Sequence, residues 1–139
     1  MAGADFSFDR RSPELHAAVV VLDAASLEVV EIAGVRASAR FPYVPGYLSC
    51  REIPPLLEAF AKLEAVPDLI VCDGQGRAHP RRFGLACHLG VLLDRPTLGC
   101  AKSRLTGDYR EPGPRRGAHT RLRDGGEVIG EVVRTRSGV

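Results

Sequence analysis

The chain has 139 residues, the length of one domain, and chains of that size bury roughly two-thirds of the surface they expose when unfolded. Its 45% hydrophobic and 26% charged residues fit a soluble globular protein. No apolar run approaches the roughly 18 residues of a membrane span, and Met1 to Asp5 lack the features of a secretory signal, so a cytoplasmic protein with no membrane partner is expected. The net charge of +2 is too small to argue for a polyanionic partner by itself. Its distribution is uneven: Arg77, Arg81, Arg82, Lys102, Arg104, Arg110, Arg115 and Arg116 fall where the acids thin out. That reads first as a solvated face and second as a surface tracking phosphates.

Residues 2–8 alternate, with Phe6 and Phe8 on one face and Asp5 and Ser7 on the other, and predict a first strand. Residues 15–22 are a β-branched apolar run, and 27–35 form a third strand after the turn chemistry of Asp23 to Ser26. Short turns favour an antiparallel meander. Pro42, Pro45 and Gly46 then exclude a regular element. Ile53, Leu56, Leu57, Phe60 and Leu63 recur at helical spacing, closed by Pro67 and Asp68. A short apolar strand follows at 69–72, a helix at about 83–93 and another short strand at 97–100. Two short apolar strands separated by a helix resemble a parallel pair buried on both faces. A polar loop, 109–117, leads to a hairpin of 120–123 and 128–134 around Asp124, Gly125 and Gly126. The expectation is an α/β fold, one domain over 1–139, whose mixed sheet joins a three-stranded antiparallel meander to parallel strands and is flanked by helices.

Cys50, Cys72, Cys87 and Cys100 show no Cys-x-x-Cys or zinc-ribbon spacing. The last three lie in apolar segments and read as small buried hydrophobes in a reducing compartment.

Three carboxylates stand in unusual places. Asp5 lies within a strand, where acids are disfavoured; the bland alternative is an outward-facing residue near a terminus. Glu52 follows Ser49 at capping-box spacing, but Pro54 would then fall past the donor-free first turn. A helix starting near Pro54 is expected instead, which frees Glu52. Asp73 ends a central strand before Gly74, which is either Asp-Gly turn chemistry or a site at the carboxyl end of a parallel strand. An acid on strand one, one at the first helix and one ending strand four is the order of the ribonuclease H-like superfamily. Three converging carboxylates repel unless cations lie between them, and hard oxygen ligands suit Mg²⁺, with Mn²⁺ as substitute.

Longer strings carry a more specific resemblance. Pro42, Tyr43, Val44, Pro45 and Gly46, continuing through Glu52, resemble the wedge motif of the endonuclease V family. Residues 73–86, Asp-Gly-Gln-Gly-Arg-Ala-His-Pro-Arg-Arg-Phe-Gly-Leu-Ala, resemble its second hallmark, and residues 101–105 and 2–8 match further motifs. The resemblance covers essentially the whole chain. It implies a DNA repair endonuclease that nicks the strand on the 3′ side of a deaminated base by metal-assisted phosphodiester hydrolysis. Deoxyinosine in DNA is the first substrate, and inosine in RNA is a second candidate. Asp5, Glu52 and Asp73 would bind metal, with His79 and Lys102 acting near the scissile phosphate. Pro42, Tyr43, Val44 and Pro45 would form a wedge pushed into the stack, Leu48, Gly74 and Gly84 would line the base pocket, and Arg81, Arg82 and Ser103 would contact phosphates. A monomer is expected. His16, His88 and His119 have no such context, and His88 reads as a core histidine.

Family members resemble this chain less at the ends. They begin with a helix before the first strand and continue into a Pro-Gly-His segment and a final helix, which have no counterpart here, and Cys50 stands where an aromatic is common. The alternative is therefore a truncated, weakly active or inactive nucleic-acid-binding remnant of the family. A third reading, a ribonuclease H-like nuclease such as a junction resolver, is opposed by the wedge and Asp73 strings.

Overall fold

The computed structural model describes residues 1–8, 13–38, 41–42, 44 and 47–138. In chain order these form β1 (Ala2–Phe8), β2 (Glu14–Leu22), β3 (Val29–Ser38), α1 (Leu48–Phe60), β4 (Ile70–Cys72), α2 (Leu85–Leu93), β5 (Thr97–Gly99), β6 (His119–Asp124) and β7 (Glu127–Val133). The mixed α/β architecture expected from the sequence is what the chain adopts. One five-stranded sheet has the order β3-β2-β1-β4-β5. The meander β1–β2–β3 is antiparallel, and β4 and β5 add to β1 in parallel.

Strand periodicity assigns the two faces. Leu15, Ala17, Val19 and Val21 of β2 are buried, as are their partners Ala4 and Ala2 in β1 and Val35 and Ala33 in β3. On this face α1 and α2 pack through Ile53, Leu56, Ala59, Leu85 and Leu89. The opposite face carries Ile32, Val20, Gly3, Val71 and Leu98, which lie side by side in register across all five strands. Ile32 and Leu98 are 65% and 54% exposed, and among the described residues no helix packs there. The β6–β7 hairpin has its own small core, in which Leu122 and Ile129 close over Ala78.

Four expectations need correction. Helix α1 starts at Leu48, not near Pro54, and holds both Pro54 and Pro55 in its interior. Each proline removes a rung of the helical ladder at a cost of about 3 kcal/mol or more, leaving the carbonyls of Cys50 and Arg51 without their helical donors. The helix forms because its core-facing stripe is buried: Glu52, Ile53, Leu56 and Ala59 are all 5% exposed or less. Strand β3 begins two residues late, because the turn is longer than four residues. The Asp23 carboxylate accepts the Ala25 and Ser26 N–H groups, and Leu27 takes a left-handed conformation (φ 60°) before Glu28 carbonyl accepts from Asp23 N–H.

Strand β5 is not buried on both faces. It is the sheet's edge, so Leu98 and Cys100 are exposed and Cys87 is only partly covered. His88 is likewise half-buried, its ring 5.3 Å from that of Phe83, rather than in the core.

Candidate metal and nucleic-acid site

The Asp73 N–H donates to the Ala4 carbonyl over 3.1 Å, one step beyond the Ala4–Cys72 pair of the parallel β1–β4 ladder. Asp73, at the carboxyl end of β4 where open parallel sheets place their sites, therefore stands beside Asp5, which lies midway along β1 just past the end of the β1–β4 ladder. Asp5 alternates with buried Ala4 and half-buried Phe6 and is itself exposed; its Oδ1 accepts the Phe6 N–H at 2.7 Å. Lys102 Nζ donates to Asp73 Oδ2 at 2.5 Å. That bond, with the charges of Asp73 and Asp5, holds the ammonium above its ordinary pKa.

Glu52 approaches from the helix side. Its carboxylate is fully buried, and neither oxygen has a hydrogen-bond partner. Burial first, then the negative charges of Asp5 and Asp73, push its pKa up to about 8, with Arg51 opposing. Cys72 beneath it is pushed up to about 11, by burial and by Glu52. A buried carboxylate with two orphan oxygens costs several kcal/mol unless it is protonated or meets a cation. Among the described residues no three His, Cys, Asp or Glu side chains already stand close enough to cage a metal. Like charges do not converge unaided, and Asp73 is held by Lys102. The donor set nevertheless fits a hard divalent cation: oxygen ligands, one of them dry and unpartnered.

The loop after β4 is clamped from two sides. Gly84 is buried, its N–H donates to the Gly76 carbonyl at 2.9 Å, and a Cβ there would stand 2.3 Å from the Gln75 oxygen. A Cβ on Gly99 of β5 would stand 2.5 Å from Gly76 N and 2.6 Å from Gly74 O. Only glycine permits this approach. Gln75 Nε2 adds a bond to the Ser103 carbonyl at 2.7 Å.

The other expected site residues fall in different places. His79 is buried 6% exposed in the turn before α2, with Nδ1 accepting the Arg81 N–H at 3.2 Å. The Arg81 guanidinium lies 4.1 Å over the Tyr47 ring, at the N-cap of α1. Pro42 and Val44 are exposed. Tyr43 and Pro45 lie outside the described residues, as does the side chain of Leu48. A concavity between the end of β3 and α1 is lined by Phe41, Cys50, Arg51 and Pro54 among others, and neither Gly74 nor Gly84 is among its described lining residues.

Half of the basic stretch, Arg77, Arg82, Lys102 and Arg104, is paired with acids, most of them far away in sequence. Arg82, itself left-handed (φ 56°), donates to Glu127 Oε2 at 2.7 Å, Asp124 Oδ2 at 3.1 Å and the His79 carbonyl at 3.0 Å. Its hydrogen bond to Glu127 leads in raising its pKa, and Glu127 is lowered in return. Arg77 pairs with Glu127 and Arg104 with Asp108. Arg82 thus fastens the hairpin to the turn that holds His79. Arg82→Met should speed amide hydrogen exchange in β6–β7 while leaving β1 and β2 protected; equal protection in both proteins would show the fastening to be idle.

A family model described as Endonuclease V matches residues 1–139. Endonuclease V from Roseiflexus sp. (strain RS-1) is 55% identical over 139 residues, all of this chain and 62% of the relative. The crystal structure of the Endonuclease V from Streptomyces avermitilis superposes with a TM-score of 0.93 at 50% identity, over 100% of this chain and 61% of that one. A Ciona intestinalis Endonuclease V in complex with DNA containing an inosine followed by a ribo-adenosine matches with a TM-score of 0.70 at 32% identity, over 77% of this chain and 46% of that one. The chain spans about 62% of the length of the curated relatives it matches.

Proposed function

Because the chain belongs to the endonuclease V family, we propose that it is the core of an endonuclease that nicks inosine-containing DNA on the 3′ side of the lesion. Inosine-containing RNA is the second substrate of this reading. The observation that carries it is Glu52: a fully buried carboxylate with no partner, within electrostatic reach of Asp5 and Asp73. Evolving such a costly group for packing alone makes no physical sense, since an apolar residue would pack better.

In this reading Asp5, Glu52 and Asp73 hold Mg²⁺ or Mn²⁺. A divalent ion so held supplies Lewis-acid activation of water and charge relief at the scissile phosphate. Lys102, displaced from Asp73, offers its ammonium to phosphate oxygen. His79, which fixes the turn after the glycine loop, acts near the scissile phosphate. Gly74 and Gly84 let the flipped base come close to backbone, with Leu48 as the apolar contact. Pro42, Tyr43, Val44 and Pro45 fill the stack the base leaves. Arg81 and Ser103 bind flanking phosphates, and Arg82, already committed to Glu127 and Asp124, contributes by holding that surface. The protein acts as a monomer in the cytoplasm.

A nucleic-acid-binding module without turnover is the second reading, favoured by the absence of a ready three-ligand cage among the described residues. A nicking assay on deoxyinosine DNA with Mg²⁺ separates the two. The chain should give a single nick 3′ of the lesion, and Asp73→Asn should lower the rate at least about 100-fold. Binding without nicking by both proteins would establish the second reading.

A further inference from the structure

Lys102 stands on a segment with little of its own to hold it. Cys100 N–H donates to the Cys72 carbonyl at 2.9 Å, and Asp108 exchanges backbone bonds with Arg123 at 2.7 and 2.9 Å. Between these anchors, residues 101–107 belong to no strand or helix, and among the described residues none of their backbone groups pairs with another backbone group. Side chains fasten the far half: Arg104 donates to the Gly107 carbonyl at 2.7 Å, and Thr106 Oγ1 to Asp124 Oδ2 at 3.2 Å. The near half has two ties, both to the loop that carries Asp73. One is the Lys102–Asp73 ion pair at 2.5 Å. The other is the Gln75 side chain, whose Nε2 donates to the Ser103 carbonyl at 2.7 Å. A carbonyl only accepts, so the contact fixes which end of the amide faces it. Gln75 is itself well seated: it is half-buried, and its backbone carbonyl accepts the Ala86 N–H at 3.1 Å, in the first turn of α2.

The two ties differ in kind. An ion pair whose lysine side chain is 84% exposed is weak and screened by salt. It is spent as soon as Asp73 serves a cation and Lys102 a phosphate. The Gln75 bond involves neither of those charges, so it persists. A lysine is a flexible four-carbon stem, and where its ammonium can reach is set by where its backbone is held. We propose that Gln75 is the positioning residue for Lys102: by holding the Ser103 carbonyl, its side-chain amide keeps the ammonium beside the Asp73 carboxylate after the ion pair opens, within reach of the scissile phosphate. That destination rests on the nuclease reading; the tether does not.

Four proteins make the test: the 139-residue chain, Gln75→Met, which keeps the length and removes the donor, Lys102→Met, and the double variant. Backbone ¹⁵N order parameters would be measured in EDTA across a salt series. Lys102→Met should leave residues 101–103 near the rigid value of about 0.85, whereas the double variant should fall below about 0.6 there at any salt. Gln75→Met should lie between, loosening as salt rises, with β1 and β2 unchanged in all four. Rigid amides at 101–103 in the double variant would overturn the proposal. Single-turnover nicking of deoxyinosine DNA with Mg²⁺ is the second arm. Removing the Gln75 amide should slow nicking about 10- to 100-fold in the parent. In the Lys102→Met background it should cost less than about 2-fold, because a residue that acts through Lys102 then has nothing left to position. Equal losses in both backgrounds would make Gln75 a structural part of the loop and overturn the proposal. If the parent does not nick, the order parameters decide the tether and it is the nuclease reading that falls.

Discussion

The metal-free protein should lose stability as pH rises from about 4.5 to about 8, and Glu52→Gln should abolish that loss. Below this window Glu52 is protonated in both folded and unfolded chains and costs nothing. Within it the unfolded carboxyl ionises while the folded one, its pKa raised to about 8, keeps its proton, so each pH unit removes about 1.4 kcal/mol from folding. The cost accumulates to about 5 kcal/mol and is complete above pH 8. At pH 8 without metal, the glutamine variant should melt roughly 10 °C above the parent. Magnesium should raise the parent's midpoint and leave the variant's nearly unmoved, and nicking should fall at least about 100-fold in the variant. A parent midpoint that stays flat from pH 5 to 8 in EDTA would show that the carboxylate is not dry.

Gly99→Ala should be the most damaging small substitution in the sheet. Its methyl group would stand 2.5 Å from Gly76 N and 2.6 Å from Gly74 O, and neither is the end of a flexible side chain. The Asp73–Gly76 loop must retreat, taking with it the Gln75 bond to Ser103 and the Asp73 position beside Asp5. Overpacking of this kind costs about 1–3 kcal/mol, and backbone on both sides puts this site at the upper end. Activity should fall further than stability, because the loop carries a candidate ligand. Gly113→Ala, whose Cβ meets only the Ala118 methyl at 3.7 Å, is the control, expected within about 0.5 kcal/mol. Equal denaturation midpoints for the two variants would show that the loop yields freely.

What the sequence revealed and what it concealed divide along physical lines. Strand alternation in β1 and β2, the Asp-Gly-Gly hairpin and the order of elements follow from local periodicity and turn chemistry, and all are present. The family strings were equally legible, because a motif is contiguous. The start of α1 was not, since two prolines argue locally for a boundary, and only burial of the Glu52–Leu56–Ala59 stripe overrides them. That spacing, three and four residues apart, was readable in retrospect and would have placed Glu52 on the core side. Pairing of Arg82 with Glu127, 45 residues away, and the edge position of β5 depend on how the chain closes on itself.

The proline pair in α1 bears on mechanics as well as on register. With two rungs missing behind Cys50 and Arg51, the helix is stiff from Leu56 onward, where it is wedged into the core, and compliant ahead of it. Glu52 sits at that joint, on the last turn before the break. The leading turn is a short lever, with Tyr47 at its tip and Arg81 resting on that ring. A load applied near Val44, such as a nucleic-acid stack being parted, would be felt at the Glu52 carboxylate before it strained the sheet.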